Sequence, residues 1–359
     1  MFKIFSRAAR QLHTYTYLLQ PPIPPFSLVT STKRPTSGDG LSQGHKHTHA
    51  RTNTHSHAYL NPFLPSQITM TAPRVFTWLI TGASSGFGES IASVALEEGH
   101  KVIGATRDVA KAQVANPGFA AKGGIWLQLD PAHPDSFNQF SKAQEEYDID
   151  VLVNNAGYAF IGGVEDTSEQ EVRDQMEVNF WGPLRAVQAV LPSMRAKGRG
   201  NIVLISSGAG FIARPGRGMY SASKFAIEAI HESLKQEVET LGIKVLIVEP
   251  GAFRTKFSLR LITPAAHVDG FSEGYKGTAL DSMVTMSKGI TELPPAQFVK
   301  GDPEKGAKHI VKAVVEGHDY LRMILGGDCV LALEQKLGQL NHDLEATRAI
   351  AMSTDTEIK

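Results

Sequence analysis

A single cysteine, Cys329, stands in a chain of 359 residues, so no internal disulfide can form and no thiolate cluster can hold a metal. No apolar run approaches the roughly 20 residues that a membrane-spanning helix requires. Charge of one sign is missing too: 36 basic residues balance 36 acidic ones, which removes the electrostatic reason to expect a nucleic-acid partner. What is present, 42% apolar residues, describes a soluble globular protein that can bury a full core. These features are compatible with a reducing compartment and make the cytoplasm the expected location.

Residues 1–70 lack acid almost entirely, Asp39 being their only carboxylate, and they lack the apolar periodicity that would offset chain entropy. They carry the proline cluster at 21–25 and a histidine-rich tract at 45–57, and the stretch reads as a disordered extension. In that polar setting the histidines read as solvated spacers, and no metal site is expected. Two readings of the first residues stand side by side. On a helix, Phe2, Phe5, Ala9 and Leu12 would share one face and Lys3, Arg7 and Arg10 another, the pattern of a mitochondrial leader. Alternatively Met70, just ahead of the first core strand, is the start and the preceding segment has no role.

From residue 75 the pattern alternates. An apolar run at 75–80 ends in a glycine turn, and 89–98 places Ile91, Val94 and Ala95 on one helical face before the cap-like Gly99. Further apolar runs fall at 101–106, 124–129, 151–155, 201–206, 244–248 and 321–325, with helix-period segments between most of them. Near-continuous apolar strands spaced by helices predict a parallel sheet covered on both faces. With right-handed crossovers, the fold is one doubly wound α/β domain of Rossmann type over residues 71–359. A last helix is expected at 306–315 and a further amphipathic helix with alternating charge at 329–351.

The turn Thr81-Gly82-Ala83-Ser84-Ser85-Gly86-Phe87-Gly88 closes the first strand and opens the first helix. Unpaired N–H groups and the helix dipole favour an anion there, and glycines allow the close backbone approach that a pyrophosphate needs. Ser84 and Ser85 both have the chemistry to cap the helix or touch phosphate. At the end of the second strand, where an acidic residue would accept hydrogen bonds from a ribose 2′-hydroxyl, the chain has Thr106 followed by Arg107. A guanidinium at this place suits a 2′-phosphate, so NADP(H) is the expected cofactor. The competing reading leaves Arg107 in solvent and gives the ribose to Asp108.

Tyr220 and Lys224 are four apart in a helical segment and share a face. A phenol with a pKa near 10 is a poor base at neutral pH, and an adjacent ammonium would lower that pKa. Such a pair can exchange a proton with a carbonyl or alcohol oxygen while hydride moves to or from a nicotinamide. Ser207 precedes Tyr220 by thirteen residues at a strand end. Strand alternation points Ser206 the other way, and the spacing selects Ser207.

Together these residues resemble the short-chain dehydrogenase/reductase family, with a looser likeness in the tail to its hydroxysteroid and retinol dehydrogenase branch. The likeness covers nearly everything from residue 75 onward and includes the glycine turn, Asp130, Asn154-Asn155-Ala156-Gly157, Asn179, Ser207, Tyr220 with Lys224, and Pro250-Gly251 followed by Thr255. It implies Tyr220 as general acid/base, Lys224 holding the nicotinamide ribose and tuning Tyr220, Ser207 binding the reacting oxygen, and Asn179 supporting a water-linked proton relay. It further implies that Asp130 binds the adenine amino group, that Asn155, Ala156 and Gly157 flank the cofactor, and that Pro250, Gly251 and Thr255 contact the nicotinamide. For Asn154, bracing of the sheet and contact with the cofactor both stand. A homodimer or homotetramer is common in the family.

Residues 253–301 have no strong single period and follow the strand end where a doubly wound enzyme closes its pocket. They read as a mobile substrate lid with short helices. Phe257, Leu259, Leu261, Ile262, Phe271, Tyr275, Met283 and Met286 offer an apolar lining, which favours a lipophilic ketone, aldehyde or secondary alcohol. Two other functions are weighed. A nucleotide-sugar epimerase or dehydratase would space its glycines differently, and the chain has three residues between Gly82 and Gly86. A non-catalytic NADP-sensing regulator would have no need of Ser207, Tyr220 and Lys224 together.

Overall fold

The computed structural model describes residues 74–259, 261–291 and 299–356. The histidine tract and the leader-like segment fall outside the described residues, as does the lid stretch 292–298.

Each of the seven predicted apolar runs forms a strand: β1 (Thr77–Thr81), β2 (Lys101–Thr106), β3 (Ile125–Gln128), β4 (Val151–Asn154), β5 (Gly200–Ile205), β6 (Ile243–Pro250) and β7 (Arg322–Leu325). They make one sheet in the order β3-β2-β1-β4-β5-β6-β7, and every neighbouring pair is parallel. The order reverses direction between β1 and β4, the switch point at whose carboxyl side doubly wound sheets bind ligands.

Strand alternation explains the two cores. Trp78, Ile80, Val151, Val153 and Val203 face one layer of helices, containing α1 (Gly86–Glu97) and the later helix over Pro303–Glu316. Leu79, Leu152 and Ile202 face the other layer, built from helices over Ser136–Tyr147, Gly182–Lys197 and Gly218–Val238. Adjacent residues of one strand therefore serve opposite cores, which is why the strands read as unbroken apolar runs rather than alternating ones. Numbered in chain order, the remaining helices are α2 (Val109–Ala115), α3 (Pro117–Ala121), α4 (Ser136–Tyr147), α5 (Glu169–Met176), α6 (Gly182–Lys197), α7 (Gly218–Val238), α8 (Ala279–Thr291), α9 (Pro303–Glu316) and α10 (Gly327–Met352).

The structure differs from expectation at three places. The first helix starts at Gly86, three residues earlier than its apolar period suggests, because the last glycines of the turn are already helical. The lid contains a helix of 13 residues, α8, besides its 3-10 turns, and Val284 and Leu280 pack it onto Ile161 and Phe271. The helix α10 buries only Cys329 and Ala332.

Gly88 sets how closely α1 approaches the sheet. A Cβ there would lie 2.5 Å from the Asn155 Nδ2 and 2.6 Å from the Gly82 carbonyl oxygen. Replacement by alanine should overpack this contact and cost about 1–3 kcal/mol of stability. Thermal denaturation checks it: an unchanged midpoint for Gly88→Ala would show that the helix can retreat without loss.

Candidate active site

The carboxyl ends of β1, β4, β5 and β6 and the start of α7 bring the candidate residues to one edge of the sheet. Gly82 and Gly86 hold φ values of +65° and +62°, a left-handed backbone that side chains other than glycine rarely adopt. Ser85 occupies the N-cap of α1 with an extended backbone, yet its side chain makes no capping bond. The first-turn N–H groups therefore keep their affinity for an anion. Thr255 stands over the turn, its Cβ 3.3 Å from where a Gly86 Cβ would sit. The Phe87 ring points away and packs on Phe253 with ring centroids 4.8 Å apart, which leaves only its backbone to the turn.

The turn is braced from β4. Thr81 Oγ1 accepts hydrogen bonds from the N–H groups of Asn155 (2.9 Å) and Ala156 (3.0 Å), and Asn155 Nδ2 donates to the Thr81 carbonyl at 2.8 Å. Asn155 therefore shapes the glycine turn with its side chain. Asn154 settles on the bracing role, its Nδ2 donating to the Pro183 carbonyl at 3.1 Å with the residue buried. Asp130 Oδ1 accepts from the Ala132 N–H at 3.0 Å and orders the loop after β3. Beyond β2, Thr106 is buried and Arg107 exposed, while Asp108 Oδ1 accepts the Lys111 N–H at 2.8 Å and caps α2. One oxygen of the Asp108 carboxylate is thereby engaged at a helix N-terminus.

Ser207, Tyr220 and Lys224 come together. Ser207 begins the 3-10 turn after β5 and its Oγ accepts the Ala209 N–H at 3.2 Å. Lys224 is buried and donates from Nζ to the Ile205 carbonyl at 2.9 Å, with Nζ 6.0 Å from the centre of the Tyr220 ring. Burial pushes the ammonium down to about 8, against the opposing pull of Glu228. Burial also raises the Tyr220 phenol, and the influences that lower it are the Ser207 hydroxyl and then the Arg217 charge. The Lys224 ammonium is weakened by burial and donates to a carbonyl. Arg217 also favours the phenolate, one turn ahead of Tyr220, half-buried, with no carboxylate in ion-pair reach among the described residues. Nothing in the local sequence marked it, because its value lies in what surrounds the helix start.

Asn179 sits in a π-helical segment, Glu177–Trp181, between α5 and α6. Its Oδ1 accepts the Tyr158 N–H at 3.2 Å, and its Nδ2 donates to the Tyr158 carbonyl and to Ser223 Oγ, both at 3.1 Å. A Cβ on Gly157 would meet both Asn179 Oδ1 (3.1 Å) and Lys224 Nζ (3.8 Å), so the absence of a side chain there joins the two. Gly251 is likewise hemmed in, 2.3 Å from Asp328 Oδ1 at its Cβ position, and it follows Pro250 at the end of β6. On the lid side, Phe257 lies 6.1 Å from Tyr220 between ring centres. Phe271 is buried in a cluster with Ile161, Leu280 and Val284.

Behind the site lies a charged network that the sequence reading missed. Ser206 Oγ donates to Glu228, one turn beyond Lys224 on α7, and Arg322 of β7 reaches Glu249 at 3.1 Å and Glu232 at 2.8 Å. No short motif announces a network gathered from β5, β6, β7 and α7.

The family model "short chain dehydrogenase" matches residues 77–263, just over half of the chain. The chain is 46% identical over 216 residues to "Oxidoreductase claN" of Passalora fulva, covering 60% of this chain and 97% of that protein. It is 39% identical over 212 residues to a 3-ketodihydrosphingosine reductase of Bacteroides thetaiotaomicron, covering 58% and 75%. A short-chain dehydrogenase from Streptomyces avermitilis superposes with a TM-score of 0.69 at 36% identity, covering 79% of this chain and 100% of that one. Structures of lower identity that share the fold hold NAD in one case and NADPH in another. The chain belongs to the short-chain dehydrogenase/reductase family: it is a nucleotide-binding oxidoreductase of the Rossmann fold.

Burial and the neighbouring Glu228 raise the Glu249 carboxyl to about 8. The folded chain then holds a proton there that the unfolded chain has released, so this group's contribution to stability declines as pH climbs from the ordinary carboxylate range toward 8. Glu249→Gln removes the dependence. Melting temperatures of wild type and variant should diverge between about pH 5 and 8, the wild type falling faster; parallel curves would mean that Glu249 ionises as freely folded as unfolded.

Proposed function

We propose that the protein is an NADP(H)-dependent oxidoreductase that interconverts a lipophilic ketone or aldehyde with its alcohol, with Tyr220 as general acid/base. The observation that carries this reading is the meeting of Tyr220, Ser207 and Lys224 at the carboxyl end of β5, beside the aromatic ring of Phe257.

The residues fit a dinucleotide. The glycine turn with its uncapped helix would hold the pyrophosphate, Asp130 the adenine, Lys224 the nicotinamide ribose, and Pro250, Gly251 and Thr255 the nicotinamide end. When bound, the nicotinamide supplies or accepts hydride. Ser207 donates to the substrate oxygen and orients it, and the Tyr220 hydroxyl gives or takes the proton at that oxygen. Arg217 and Ser207 favour the phenolate against the burial that opposes it. Asn179 fixes the Tyr158 backbone beside Lys224 and so supports the proposed water-linked relay.

For the nucleotide, exposed Arg107 is free to meet a 2′-phosphate, while Asp108 is occupied at the α2 cap. For the substrate, the apolar character of the lid, with Phe257 next to Tyr220, supports a lipophilic carbonyl compound. The similarity to a reductase named for a keto lipid agrees with that class. The cytoplasm is the location proposed.

Tyr220→Phe should lower kcat by roughly 10²–10⁴-fold, the scale of a lost general acid/base. Dinucleotide affinity, followed by fluorescence titration, should stay within a few-fold. Wild-type turnover in this variant would remove Tyr220 from the chemistry. Separately, Arg107→Ala should weaken NADPH by roughly 10–100-fold, the range for a lost charge-assisted contact, with little change for NADH. Equal losses for the two would assign Arg107 to solvent.

A further inference from the structure

The loop that joins Ser207 to α7 carries two arginines, Arg214 and Arg217, in a turn where the Arg217 N–H donates to the Arg214 carbonyl at 3.0 Å. Neither guanidinium has a hydrogen-bond or ion-pair partner among the described residues. Arg214 is exposed to water. Arg217 is half-buried, and three features of its setting oppose its charge: burial, the like charge of Arg214, and its place at the N-cap of α7, the positive end of a helix of 21 residues. Burial and then Arg214 push the guanidinium below its ordinary value, and the Tyr220 phenol acts the other way. An arginine is seldom withdrawn from water without a carboxylate to receive it.

The flanking contacts are apolar. On one side of Arg217, the Cβ position of Gly216 lies 3.1 Å from Leu280 and 3.6 Å from Met283 of α8, and 3.4 Å from Ile161. On the other side, the Cβ position of Gly218 lies 3.4 Å from Val164. The two acids that follow Val164 are engaged elsewhere: Asp166 Oδ1 lies 3.4 Å from His267 Nε2, and Glu165 Oε1 accepts from Ser272 Oγ at 3.5 Å. Arg217 is one turn ahead of Tyr220, about 4.5 Å along the axis at helical rise, and near enough for its charge to act on the phenol.

We propose that Arg217 binds a carboxylate of the substrate, so that the compound handled at Tyr220 is a lipophilic oxo acid whose carbonyl and carboxylate lie a few bonds apart. This rests on the reading of Tyr220 as the group at the reacting oxygen, and it narrows the substrate class of that same site. The planar guanidinium presents paired N–H donors that match the two oxygens of a carboxylate, and partial exclusion of water strengthens such a pair. Leu280, Met283 and Val164 suit the hydrocarbon body. In the same reading the anions of the dinucleotide have other receptors, the glycine turn and Arg107. A carboxylate at Arg217 also offsets the like charge of Arg214 and the helix end. Once paired, Arg217 favours the phenolate less, so the phenol keeps the proton that reduction of a carbonyl must deliver.

Rates with NADPH for 4-oxodecanoate and its methyl ester, together with calorimetric titration by the unreactive pair decanoate and decanamide in saturating NADP+, test the proposal. Wild type should prefer the acid to the ester in kcat/KM, and decanoate to decanamide in affinity, by roughly 10–100-fold. Arg217→Gln should lower kcat for acid and ester alike, through the phenol. Beyond that it should raise KM for the acid alone and abolish the preference for decanoate, with a melting temperature equal to or above wild type because no native pair is lost. Arg217→Lys should recover part of the decanoate affinity. Reduction of the ester as readily as the acid, or decanoate held equally by wild type and Arg217→Gln, would overturn the carboxylate site and leave the oxidoreductase reading standing. A lower melting temperature in Arg217→Gln with acid and ester losing KM alike would make the residue structural and overturn it too. Decanoate bound through Arg217 by a protein that oxidises NADPH with none of a panel of lipophilic ketones and oxo acids would keep the carboxylate site and overturn the reading of Tyr220.

Discussion

Burial of the Tyr220–Lys224 pair is the constraint around which the rest of the site is arranged. A phenol and an amine placed in the interior each favour the neutral form, which is the opposite of what the proposed proton exchange at neutral pH would require. The surrounding structure offsets this with fixed dipoles and distant charge. The Ile205 carbonyl receives the ammonium, Ser207 and Arg217 act on the phenol, and Glu228 favours the charged lysine from the next turn of α7. Low solvation has a return as well: each of these interactions is stronger where water is excluded than it would be at the surface. Glu228 has an opposite influence on the two partners, raising both pKa values, so its protonation state links them.

That placement depends on strand ends. The same parallel sheet that buries both faces of β4 and β5 delivers Asn154, Asn155, Ser206 and Ser207 to one edge, where alternation decides the side each serves. Ser206 turns to the carboxylate of Glu228, and Ser207 to Tyr220. Across the switch point, Asn155 and Thr81 tie the glycine turn of β1 to β4, and β4 in turn pairs with β5, whose end carries Ser207. Thr255, beyond the end of β6, lies against Gly86 of the turn.

Much of this was legible in the chain. Strands buried on two faces appear as unbroken apolar runs, and all seven could be read. Spacing was enough to separate Ser207 from Ser206. Where the reading stopped, the cause was contact between residues distant in sequence. Phe87 reads like part of a glycine motif, but its ring is claimed by Phe253 and the close approach at Gly306. The Asn155 amide also completes the turn of β1, a contact between residues 74 apart that no local pattern announces. The π-helical segment holding Asn179 has no local signature, and the Glu228–Glu249–Arg322 network draws on four elements. The lid helix α8 lacked a visible period because part of its burial comes from Ile161 and Phe271.

The base of α10 connects these layers in a way that its exposed end does not suggest. Asp328, in its first turn, accepts the Ala252 N–H at 2.8 Å and presses against Gly251, so it fixes the point where β6 gives way to the lid. Cys329 donates to the Glu249 carbonyl at 3.3 Å and approaches the Cβ position of Gly208, next to Ser207. One turn of helix therefore supports the end of β6, the start of the 253–301 stretch and the loop that follows Ser207.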